Sequence, residues 1–121
     1  MTELHPPLLC QLEIECSDIK KSLEFYENVL GFRKSPCEIH EIAILEVGDA
    51  TYGISLVPAK SKGSPSPSTI YFVVQDPDNA YEKVEVWGGK KILGPEKVTG
   101  YGVVFKFADP NGQKIGLFSR T

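Results

Sequence analysis

The chain has 121 residues, of which 41% are apolar and 24% charged, and its formal net charge at pH 7 is −3. That length supports one ordinary globular core, and the acidic balance excludes a general nucleic-acid binder, which needs a basic face. No basic run exceeds Lys90-Lys91 and no apolar run approaches the roughly 20 residues that span a bilayer, so neither nucleic acid nor membrane is an expected partner.

The N-terminal stretch MTELHPPLLC lacks the basic and apolar regions of a signal peptide, and a cytoplasmic location is expected. His5, before Pro6-Pro7, reads as a solvated terminal residue. Strand one is expected over 8–16. It alternates, with Gln11, Glu13 and Glu15 on one face and Leu12, Ile14 and Cys16 on the other. Cys10 and Cys16 are six residues apart on this strand, roughly 20 Å, and cannot bridge each other. With three cysteines and no CxxC spacing, reduced structural thiols are expected. Cys37 near His40 is a candidate nucleophile, but no nucleophile motif surrounds it.

A helix is predicted over 18–30. Asp18 is a good N-cap, Ile19, Leu23, Tyr26 and Leu30 keep helical spacing, and Gly31 is a good stop. FRKSPC, EIAILEV and TYGISLVP follow as strands, the last two joined at Gly48-Asp49 as a hairpin. The stretch 58–68, PAKSKGSPSPS, reads as a linker. Then the pattern returns: a strand over 69–75, a helix capped by Asp76 with Pro77 in its first turn, a stop at Gly88-Gly89, a short strand at 91–93, and two last strands around the turn Asp109-Pro110-Asn111-Gly112.

Asp18 and Asp76 are 58 residues apart, and so are Gly31 and Gly89. The order βαβββ therefore occurs twice, in a module of about 8–58 and another of about 69–119, with the linker at 59–68. Each half alone is marginal for a core, so the two are expected to share one, as a single α+β domain.

These motifs, SDIKKSLEFYENVLGF in the first half and VVQDPDNAYEKVEVWGGKKI with FKFADPNGQKIGLF in the second, resemble the vicinal oxygen chelate superfamily. That family spans glyoxalase I, extradiol dioxygenases and bleomycin resistance proteins. The resemblance covers roughly residues 8–119. It implies cupped mixed sheets, helices packed outside them, and a homodimer with the cavity at or near the interface. It also implies up to four metal ligands, usually His, Glu or Gln, one on the first and last strand of each module. Here those positions are Gln11, Ser55, Thr69 and Gly116. One amide, two hydroxyls and a glycine form a poor set for a catalytic divalent cation, and no metal is expected there. A displaced site drawing on Glu13, Glu15, His40 or Glu41 is the alternative to it.

By alternation from Gln11, the cup is expected to present Glu13, Glu15, Ser55, Thr69, Tyr71, Val104, Lys106, Gly116 and Phe118. The bland reading of Glu13 and Glu15 is a solvated rim, or an ion pair of Glu13 with Lys106. The functional reading is a small-molecule cup whose carboxylates favour a cation. The resemblance then implies a metal-independent protein of the bleomycin-resistance type, sequestering a cationic antibiotic or metabolite. The alternative is a glyoxalase-like or dioxygenase-like metalloenzyme using Zn, Ni, Mn or Fe, and a general-base role for Glu13 or Glu15 is a third possibility.

Overall fold

In a computed structural model of the chain, the described residues are 7, 9, 11–36, 39, 41–59, 68–100 and 102–120, with 50–52 described by backbone alone. His5, Cys10, Cys37, His40 and the linker from 60 to 67 lie outside them.

Strand β1 (Leu12–Cys16) alternates as its sequence dictates: Ile14 and Cys16 are buried, while Glu13 and Glu15 are exposed. Helix α1 (Ile19–Val29) begins at Asp18, whose carboxylate accepts from the Lys21 backbone N–H. Its buried positions, Ser22, Phe25, Tyr26 and Val29, recur every three or four residues and form one stripe. Among its described residues, the stretch expected as the next strand makes only an isolated bridge, Lys34 with Leu45, flanked by two backbone hydrogen bonds, Ser35 N–H to the Ile44 carbonyl and Glu46 N–H to the Arg33 carbonyl. Pro36, which has no N–H to donate, follows at once. Strands β2 (Ala43–Val47) and β3 (Ala50–Pro58) complete the hairpin.

The second module runs β4 (Thr69–Val73), α2 (Pro77–Lys83), β5 (Lys90–Val98), β6 (Gly102–Ala108) and β7 (Lys114–Ser119). Asp76 caps α2 through the Asn79 N–H. The helix is shorter than its hydrophobic pattern predicts: it ends at Lys83, and turns carry the chain to Gly89. Conversely, β5 is three times the expected length. Gly94-Pro95 reads as a break, but β5 is the edge strand and slips register between Leu93 and Glu96. An edge bulge tolerates the missing proline donor. At Gly94 φ is +132° and a Cβ would meet Phe105 at 2.6 Å, so only glycine fits the slip.

The two modules build equivalent sheets, β1-β3-β2 and β4-β7-β6-β5. In each, the first and last strands pair in parallel and the rest antiparallel. One hydrophobic cluster joins them: Ile14, Ile54 and Leu56 from the first sheet meet Phe105, Phe107, Ile115 and Leu117 from the second, around Phe25, Tyr26 and Val84 of the helical segments. Phe25 lies 5.9 Å from Phe107, and Phe32 lies 5.3 Å from Phe72, each a contact between modules. Leu12, expected in this packed layer, is only half-buried and stands outside the cluster.

Polar contacts seal the same junction. Asp109 is buried in the turn before β7, and its Oδ1 accepts the backbone N–H groups of Asn111 and Gln113 at 2.8 and 2.9 Å. Its Oδ2 accepts the Tyr26 hydroxyl at 2.7 Å. Asn111 donates to Ser22 Oγ and accepts from the Ser17 N–H. A carboxylate out of water needs such partners, and here they come from both modules. Burial first, then the Asp109 charge, pushes the Tyr26 phenol well above its usual range.

Candidate functional site

Because both sheets turn their apolar faces inward onto one cluster, their polar faces look outward. On the first sheet that face carries Gln11, Glu13 and Glu15, all exposed. Glu13 is in register with Ser55 of β3, and Ser55 with Ile44 of β2. Gln11 Nε2 donates to Ser55 Oγ, so the two chelate-type positions of this module are bonded to each other. Ser55 and Ile44 are both buried, and Ile44 stands outside the central cluster. Ile44 escaped the sequence reading: the two-residue turn Gly48-Asp49 alone would set Ile44 opposite Gly53, and the register shift between Glu46 and Val47 moves it opposite Ser55.

The second sheet carries a row across three strands. Tyr71 of β4 is in register with Gly116 of β7, and Gly116 with Lys106 of β6. A Cβ at Gly116 would stand 2.4 Å from two atoms of the Tyr71 ring, so the ring covers the glycine. Lys106 Nζ stands 5.8 Å from the ring centroid, at the outer edge of cation–π range. Lys106 is thus engaged with Tyr71, whereas Glu13 sits on the other sheet. Val104, Phe118 and Thr69 share this face by register and are each half-buried. Tyr71 and Val73 are 51% and 72% exposed, a large apolar allowance for an outward sheet face.

The expected cup residues therefore fall into two groups. Gln11, Glu13, Glu15 and Ser55 lie on one sheet. Thr69, Tyr71, Val104, Lys106, Gly116 and Phe118 lie on the other. Within one chain the shared core separates the two groups. A further concavity, of about 710 Å³, opens beside the first turn of α1, lined by Ile19, Leu23, Lys34, Glu41, Ile42 and Pro58 among others. Its walls mix aliphatic side chains with the charged Asp18, Lys20, Lys34 and Glu41, and it lies away from both polar sheet faces.

The fold family's divalent metal does not fit these residues. Gln11 and Ser55 bond to each other, Thr69 offers a hydroxyl, and Gly116 has no side chain and no room for one. Among the described residues, no three His, Cys, Asp or Glu side chains converge to hold a cation. Cys16 is free and buried, and burial pushes its thiol up, which keeps it protonated and unreactive.

Two βαβββ-like modules with polar outward faces and four equivalent strand positions define the class. The chain belongs to the Glyoxalase/Bleomycin resistance protein/Dioxygenase superfamily, whose profile matches residues 9–117. Over 137 aligned residues it is 36% identical to anthracycline biosynthesis protein DauV of Streptomyces sp. (strain C5) and to DnrV of Streptomyces peucetius. Each alignment covers 99% of this chain and 50% of the relative, so the chain spans about half the length of these curated relatives. Among solved structures, the integron cassette protein VCH_CASS1 from the mobile metagenome of V. cholerae is 25% identical with a TM-score of 0.74, covering 99% of this chain and 100% of that one. A glyoxalase I variant from Zea mays is 27% identical with a TM-score of 0.70, covering 93% of this chain and 46% of that one. A glyoxalase-related enzyme from Fulvimarina pelagi reaches a TM-score of 0.77 at 14% identity, covering 93% of this chain and 87% of that one, a likeness of fold alone. No helix among the described residues is long and apolar enough to cross a membrane.

Proposed function

We propose that this chain is a metal-independent binder of a small organic molecule, held in a cup that a second copy completes. The observation that carries this reading is the fate of the chelate positions. Gln11 and Ser55 are hydrogen-bonded to each other, and the Tyr71 ring fills the place of a ligand at Gly116. The placing of the polar faces favours a two-copy cup. Each outward face holds half of the expected cup, and a facing copy would bring the carboxylates of one sheet opposite Tyr71 and Lys106 of the other.

The exposed Glu13 and Glu15 favour a ligand bearing an amine. The curated relatives are anthracycline biosynthesis proteins, and an anthracycline joins a planar fused-ring system to an amino sugar. Binding and sequestration of such an antibiotic or a related metabolite is the activity proposed, and no residue is assigned a catalytic part. A thermal-shift screen of amine-bearing drugs with daunorubicin included tests it. The expected result is a concentration-dependent rise in Tm that the Glu13→Gln/Glu15→Gln variant loses in large part. No rise with any compound, or an equal rise in that variant, would contradict the acidic cup.

A further inference from the structure

The row Tyr71–Gly116–Lys106 is more than a filled metal position. Sheet registers place the three residues side by side on neighbouring strands, so Tyr71 lies across the glycine instead of standing away from the sheet. A ring backed in this way has lost most of its rotamer freedom before any ligand arrives, yet half of its surface faces solvent. Lys106 offers a flexible cation beside the ring. Its aromatic contact is a weak one at 5.8 Å, and the ammonium is readily drawn to a stronger anionic partner. Within one chain Glu13 and Glu15 lie on the other sheet, away from it, and in the two-copy cup the facing copy's carboxylates compete with a ligand's oxygen for it. Val104 and Phe118 extend the apolar surface next to this row.

We propose that Tyr71 is a stacking platform for a planar conjugated ligand, with Lys106 pairing to an acidic oxygen (a carboxylate or phenolate) at the ligand's edge. This rests on the small-molecule-binding reading and names the chemical class that this half of the cup accepts. Gly116 is the enabling residue, because any side chain there would lift the ring off the sheet. The face that chelating relatives use for a metal becomes an aromatic shelf with Lys106 as the counter-charge beside the ring.

Titration calorimetry at neutral pH tests the proposal with three probes: 2-naphthoate, 2-naphthamide and decalin-2-carboxylate. Wild-type protein should prefer naphthoate, bind the neutral amide more weakly, and bind the saturated acid least. Tyr71→Leu should weaken naphthoate about three- to tenfold, whereas Tyr71→Phe keeps the affinity. Lys106→Gln should reduce naphthoate to the level of naphthamide and leave naphthamide unchanged. Tyr71 and Lys106 are both outside the central cluster, so these variants should keep the wild-type Tm. Unchanged naphthoate binding in Tyr71→Leu, or a saturated acid that binds as well as the aromatic one, overturns the shelf. If daunorubicin binds while naphthoate does not, the shelf falls and the binding reading stands. If naphthoate and every compound of the amine-bearing screen fail to bind, both fall.

Discussion

At Gly116 a Cβ would sit 2.4 Å from the Tyr71 ring, so a side chain there competes with the ring for the same space. Gly116→Ala should therefore cost about 1–3 kcal/mol, the usual range for overpacking. In a Tyr71→Ala background the same change should cost much less, and a double-mutant cycle by urea unfolding measures the coupling. The Asp109 carboxylate shows the opposite logic, since three donors depend on it. Asp109→Ala strands them, and a loss of about 3 kcal/mol or more is expected in the same assay. Tyr26 adds a pH dependence. Its phenol holds its proton more tightly folded than unfolded, so stability is fully present below the unfolded value of about 10 and falls as pH rises beyond it. Unfolding free energies from pH 8 to 11 should drop in wild type, and drop less in Tyr26→Phe. Cys16 shifts in the same direction and contributes from a slightly lower pH.

At the scale of elements, local chemistry made most of the fold readable. Asp18 and Asp76 cap helices in the structure, and both read as caps because aspartate accepts the free N–H groups of a first turn. Asp18→Ala should lower stability by about 1 kcal/mol in thermal or chemical unfolding. Strands β1, β4, β6 and β7 stand out by alternation alone. The misses have a common origin in pairing that is not local. Gly94-Pro95 looks like a break until β6 beside it holds β5 across a bulge. The stretch around Lys34 looks like a strand, yet among the described residues only one bridge to β2 forms. Helix α2 carries an apolar pattern through Trp87, but its regular turns stop at Lys83.

For the whole molecule, the legible part of the site was its chemistry and the illegible part its arrangement. Alternation groups Gln11 with Ser55 and Tyr71 with Lys106 and Gly116, and the expected single cup joins the two groups, whereas the structure sets them on different sheets. It does not say which way two sheets face. That is decided by Phe25 on Phe107, Phe32 on Phe72 and Tyr26 on Asp109, contacts 83 residues apart in the last case. They turn the apolar faces together and the cup halves apart. A cup made from two copies follows from the proposed function, and Val73, exposed on the Tyr71 face, reports on it. Sedimentation should find a dimer in wild type and a monomer of unchanged secondary structure in Val73→Glu. A wild-type monomer at micromolar concentration would contradict the two-copy cup.

The central claim is that the chelate positions no longer serve a metal, and elemental analysis of protein purified without chelator tests it most directly. Such protein should carry far less than one Zn, Ni, Mn or Fe per chain, with no change in Tm when these ions are added. About one metal ion per chain, with a Tm rise that Gln11→Ala abolishes, would contradict it.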